Sequence, residues 1–182
     1  MRPCPAGIVT AESVTALGVS ASGAVLVAGS HCGVIAAFLS ATAGARAVIL
    51  NDAGVGKDRA GIAGLAYLDD IGMAAAAVSH LTARIGDGAD ALRRGTISHA
   101  NRAARALGVT AGMRCGDAAE RLRHAPAAHA APPPYAEGRY LLLRAAGRPE
   151  VWGLDSIGKL AAADAGRILV IGSHGAFTRR PR

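Results

Sequence analysis

Aromatic side chains are nearly missing from this chain: they make up 3% of its 182 residues, whereas hydrophobic residues make up 51%. Any core must be filled by Ala, Val, Leu and Ile, and the ring platforms on which single-stranded nucleic acid stacks are scarce. Lysine is as sparse, with Lys57 and Lys159 alone in an arginine-rich chain. Cys4, Cys32 and Cys115 are odd in number, widely spaced and form no CxxC pair, which argues against a disulfide framework and for a reducing compartment. No apolar run approaches the roughly 20 residues that span a bilayer. The opening MRPCPAGIVTAES lacks the sustained apolar stretch of a signal peptide. A cytoplasmic location without a membrane partner is the resulting expectation.

Acidic residues are outnumbered, giving a formal net charge of +7 and a pI near 10.2. The excess arginines are scattered through Arg84, Arg93, Arg94, Arg102, Arg105, Arg121 and Arg123, and only Arg179, Arg180 and Arg182 cluster. A dedicated nucleic-acid binder shows a dense stripe and a recognisable motif. Weak, nonspecific nucleic-acid binding is therefore the lesser alternative to a solvated basic surface.

What the chain does contain is alternation. Ile8–Ala11, Val25–Ala28, Ala47–Leu50 and Ala74–Val78 are short apolar runs, the pattern of strands buried on both faces. Helices are expected over Val34–Thr42, Ala60–Ile71, Ile97–Leu107 and Asp117–Arg123, and a long polar loop over His80–Gly95. This order predicts a three-layer, Rossmann-like α/β domain with a mainly parallel sheet. Residues 1–124 form the domain, 125–138 an extended Ala/Pro-rich linker, and 139–182 a partial second repeat.

That repeat is visible without gaps. Ile8–Gly33 aligns with Val151–Ala176, matching Gly23 to Gly166, Leu26 and Val27 to Leu169 and Val170, and Gly29, Ser30 and His31 to Gly172, Ser173 and His174. The second copy lacks the helix and the polar turn that follow in the first, so it reads as an incomplete internal repeat joined to the same sheet. Ile168–Ile171 is too apolar to stand bare at a sheet edge. It is expected beside Val25–Ala28, or against a second subunit in a homodimer.

Ligands in open α/β sheets bind outside the carboxyl ends of the strands, and polar turns stand there. GSHCG places Ser30 and His31 at the start of a helix, where turn amides favour anions; Cys32 is not repeated. NDAGVGKD carries Asn51, Asp52, Lys57 and Asp58. It superficially looks like a P-loop, but Asn51 replaces the first glycine and Asp58 the magnesium-holding hydroxyl. His80 and Arg84 follow the next strand. The expectation is a small-molecule enzyme, a hydrolase or lyase acting on a compact anionic or amide-containing substrate. His31 or His80 serves as general acid or base, Asp52 orients or activates, and Lys57 stabilises negative charge. Ser30, Asn51, Asp58, Arg84, Ser173 and His174 are the expected substrate contacts. The competing reading is a non-catalytic binding or assembly protein that uses the GSH turns as scaffold. No motif names a cofactor, and no short ligand spacing such as HExxH builds a metal site.

Overall fold

A computed structural model describes residues 7–17 and 21–173. The chain divides into two compact units, which meet in sequence between Pro134 and Tyr135.

In the first unit β1 (Ile8–Ala11), β2 (Val25–His31), β3 (Ala47–Asn51), β4 (Ala74–Val78) and β5 (Ile97–Ala100) form one sheet in that order. β1 to β4 are parallel and β5 runs antiparallel to β4. The fold is therefore α/β, with a mainly parallel sheet. Val25, Val27, Ala47, Ile49, Ala74, Ala76 and Val78 point to one face, and Leu26, Ala28, Val48, Leu50, Ala75 and Ala77 to the other. Both sets are buried, which is why these strands read as continuous apolar runs and not as alternating ones.

Helices cover both faces. α1 (Val34–Thr42) and α2 (Gly64–Asp69) pack on the Leu26 face through Ala36, Ala37, Leu65 and Leu68. α3 (Gly88–Arg94), α4 (Arg102–Ala106) and α5 (Cys115–Leu122) pack on the Val25 face through Ala91, Ala104, Ala118, Ala119 and Leu122. Alanine and glycine let these layers close tightly. A Cβ on Gly88 would collide with the carbonyls of Val27 and Ala11, and one on Gly29 with the backbone of Gly86 and Asp87.

Three segments differ from the sequence reading. Ile97–Ala100 is a strand, not the start of a helix; Asn101 then caps α4 by accepting from the Ala104 N–H at 2.9 Å. Pairing with β4 overrides the helical leaning of the segment. The expected loop 80–95 contains α3, whose first turn is held by Asp87 accepting from the Asp90 N–H at 2.9 Å. The expected helix over 60–71 is shorter, with a 3-10 turn at Lys57–Ile62 ahead of α2. Residues 125–134 have no regular structure, yet they are anchored to the first unit. Arg46 donates to the Ala125 carbonyl at 2.9 Å, the His129 N–H donates to the Ile71 carbonyl at 3.0 Å, and the Tyr67 hydroxyl donates to the Pro133 carbonyl.

The second unit is its own sheet of β6 (Arg139–Leu143), β7 (Val151–Leu154) and β8 (Ile168–Ile171), in that order. This corrects the expectation that it joins the large sheet. Both edges of β2 are taken by β1 and β3, so no place remains there for β8. β6 is antiparallel to β7, whereas β8 is parallel to it. Val151 pairs with Ile168, and Leu154 with Ile171, just as Ile8 pairs with Val25 and Ala11 with Ala28.

Candidate functional site

The connections after β1, β2 and β3 run over the Leu26 face, but the chain leaving β4 passes to α3 on the Val25 face. Adjacent strands whose connections part to opposite faces leave a crevice at their carboxyl ends. By that rule the carboxyl ends of β3 and β4 are where a ligand is expected. Asp52 is the first residue after β3, and His80 lies two residues beyond β4.

The two side chains meet. His80 Nδ1 lies 2.8 Å from Asp52 Oδ1, with the carboxylate buried and the imidazole 45% exposed. Asp52 Oδ1 also accepts the backbone N–H of Gly54 and of His80, each at 3.0 Å. Burial would raise the carboxyl, but these two amides, the Ser98 hydroxyl and the imidazole together outweigh it, so Asp52 sits below the ordinary aspartate range. An ionised carboxylate only accepts hydrogen bonds, so the imidazole proton is on Nδ1 and the Nε2 lone pair is left for other work. A Cβ on Gly54 would lie 3.7 Å from Cε1 and 3.8 Å from Nε2 of the ring, in ordinary contact with it.

The loop beside this pair is strained. Ala53, Val55, Asp58 and Arg59 all have positive φ, between 50° and 66°, a region that costs a non-glycine residue roughly 1–2 kcal/mol. A β-branched residue such as Val55 is a marked outlier there. Consecutive Asx turns hold the bend, with the Ala53 N–H donating to Asn51 Oδ1 at 2.9 Å and the Gly54 N–H to Asp52.

His31 is arranged in the opposite sense. Its Nδ1 accepts the Gly33 N–H at 3.1 Å, so the neutral ring carries its proton on Nε2. Ser30 accepts the Val14 N–H at 3.0 Å and fixes the turn after β1. Ser173 accepts the Ile157 N–H at 2.8 Å in the second unit; His174 lies outside the described residues. Buried Asn51 donates to the Ala83 carbonyl at 3.2 Å. Lys57, Asp58 and Arg84 are exposed. The Arg84 backbone N–H donates to Asp90 Oδ2 at 3.0 Å. Of the residues singled out from sequence, Asp52 and His80 are thus the pair joined side chain to side chain. Cys32 is buried and its thiol is pushed up to about 12, first by burial and then by the Asp52 carboxylate, which leaves no thiolate at neutral pH.

Sequence reasoning missed Ser98. It sits on β5, donates to the Ala77 carbonyl at 3.2 Å, borders Asp52 and lies 3.1 Å from His99 Nδ1. Assigned to a helix, it had no reason to face the site. Its one available signal was the polar Ser-His pair between Ile97 and the capping Asn101.

Among the described residues, no group of three or more His, Cys, Asp or Glu side chains is placed to hold a metal, and no helix is long and apolar enough to cross a membrane. A cleft of about 190 Å³ lies at the opposite, amino end of the strands. Gly, Ala and Pro dominate its lining, with Arg46 tied to backbone carbonyls, so it offers no reactive group. Comparison of the chain with protein-family models, with curated proteins and with solved structures finds no match.

Proposed function

We propose that the first unit is a small-molecule hydrolase in which His80 is the general acid and base and Asp52 its positioning partner. The observation that carries this reading is the 2.8 Å contact between a buried carboxylate and an exposed imidazole just past the carboxyl ends of β3 and β4. In this role His80 Nε2 takes a proton from water as the water oxygen attacks a substrate carbonyl. The imidazolium, steadied by Asp52, then returns that proton to the departing alcohol or amine. Lys57 is the cation of this loop that would meet the developing oxyanion, since the Ala53, Gly54, Val55, Gly56 and Arg59 amides already donate within the segment. A Rossmann-like arrangement suits this role, because the site then sits where such sheets bind ligands. A net charge of +7 favours a compact anionic ester or amide. Removal of a proton beside a carboxylate, as in a lyase, would use the same base.

The strained loop supports a site here, since strain of this kind persists where the surroundings hold it for a purpose. Unpaired, buried Cys32 and Cys115 suit a reducing, cytoplasmic setting. The second unit reads as an incomplete duplicate of β1 and β2. The shared 143-residue offset in strand pairing and the matching serine caps support that reading.

The test is hydrolysis of a panel of small carboxylate-bearing esters and amides. A substrate cleaved by the native chain should lose roughly 10²-fold or more in rate with His80→Ala. A comparable loss is expected with Asp52→Asn, whose amide cannot hold the same tautomer, whereas His31→Ala should leave the rate nearly unchanged. Cleavage indifferent to His80→Ala would refute the assignment.

A further inference from the structure

β5 is not a regular strand. Val78 pairs with Ile97 and Ala77 with His99, so Ser98 is an extra residue on β5, a bulge of the kind that re-aims a side chain. The packing shows its effect. Ile97 and Ala100 both pack on the Val25 face, although residues three apart in an unbroken strand point to opposite faces. Ser98 and His99 lie between them, both half-buried, with the Ser98 hydroxyl 3.1 Å from His99 Nδ1 and 3.2 Å from the Ala77 carbonyl. The same hydroxyl reaches the Asp52 carboxylate. A chain of polar groups thus runs from His99 through Ser98 and Asp52 to His80, whose Nδ1 is 2.8 Å from Asp52 Oδ1.

The Ser98 hydroxyl has one proton to give and two acceptors in reach, and it rotates to suit them. At 3.2 Å the Ala77 carbonyl is a long partner for an O–H donor, and an ionised carboxylate is the stronger acceptor. Asp52 also has room for it. A carboxylate offers about four lone-pair sites, and the Gly54 N–H, the His80 N–H and His80 Nδ1 take up all but one of them. With its proton on Asp52, Ser98 can only accept from His99, whose neutral ring then carries its proton on Nδ1.

We propose that Ser98 is a positioning residue for the Asp52–His80 pair, aimed at that task by His99. Its hydroxyl supplies the remaining donor to the carboxylate, fixes the rotation of the two carboxylate oxygens and so keeps Oδ1 on the imidazole. The proposal rests on the reading of Asp52 and His80 as the working pair and adds the group that steadies it.

Nitrogen and proton NMR of the substrate-free chain test it. The neutral His99 ring of the native chain should be protonated on Nδ1, a measurement that needs no variant and so decides even where a substitution disturbs β5. In Ser98→Ala the His80 Nδ1 proton should exchange with water roughly tenfold faster, the scale of one hydrogen bond lost from a charged group. Ser98→Thr, which keeps the hydroxyl, should restore the slow exchange. With any ester the native chain cleaves, Ser98→Ala should lower kcat roughly tenfold and leave KM within about twofold, because the loss falls on the reacting geometry and not on substrate binding. A His99 ring protonated on Nε2, or His80 exchange indifferent to Ser98→Ala, would overturn the role of Ser98 and leave the Asp52–His80 pair standing. If no ester is cleaved, the hydrolase reading fails and the two NMR results still decide the role of Ser98.

Discussion

β1 with β2 and β7 with β8 are the same small structure placed in different surroundings. Each is a parallel pair in the same register, each has a 3-10 turn after its first strand, and each turn is pinned by a serine hydroxyl at or just past the end of the second. In the first unit the pair is enclosed by β3 and by helices on both faces; in the second it carries an exposed apolar face. The backbone strain follows the same division, since every described non-glycine residue with positive φ lies between Ala53 and Arg59, beside the Asp52–His80 pair. A strand pair of this kind is thus a scaffold that local sequence can specify. Enclosure on both faces is what the first copy has and the second lacks.

Burial should separate the two copies most strongly. Leu26 is fully buried and Leu169, its counterpart, is only half-buried. Leu26→Ala should cost about 3–4 kcal/mol and Leu169→Ala about 1 kcal/mol, because a cavity forms only where neighbours cannot collapse into it. Denaturant unfolding followed by circular dichroism measures the first, and the emission of Trp152 the second. Equal losses would mean that the second sheet is enclosed after all.

Acid should weaken the second unit through Asp164, as it should the first through Asp52 and Asp90, whose carboxyls are also held below the ordinary range. Hydrogen bonding from Arg139 first, and from the Ala161 N–H next, lowers the Asp164 carboxyl from 3.8 to about 2. A depressed carboxyl contributes stability that is complete above its unfolded value and disappears as pH falls through the folded one. Stability read from Trp152 should therefore decline between about pH 4 and pH 2, and Asp164→Asn should flatten that decline. The shared serine caps, by contrast, should behave alike: Ser30→Ala and Ser173→Ala each leave one amide without its partner and should cost about 1 kcal/mol in their own units. Smallest of all, Val55→Gly should raise the melting temperature of the first unit by an amount worth under about 1 kcal/mol, relief of strain being offset by the freedom glycine adds to the unfolded chain.

β2, β3 and β4 were legible because burial on both faces leaves an unbroken apolar run, and Asp52 and His80 were legible as polar residues just past two of them. Their pairing was not. It depends on the chain crossing from the α2 face to the α3 face after β4, and on Gly29 and Gly88 letting α3 close on β1 and β2. β5 was hidden by an alanine- and arginine-rich continuation that favours helix, although the Asn101 cap marked where that helix begins. Separation of β8 from the large sheet was hidden as well, since apolar sequence shows that a strand wants cover but not which edge is already occupied.

The nitrogen of His80 that carries the proton decides what the imidazole can do, and nitrogen NMR of the ring measures it directly. At neutral pH the neutral ring should be protonated on Nδ1, with Nε2 unprotonated, and Asp52→Asn should erase that preference while the fold persists. A ring protonated on Nε2 in the native chain, or a preference indifferent to Asp52→Asn, would contradict the account.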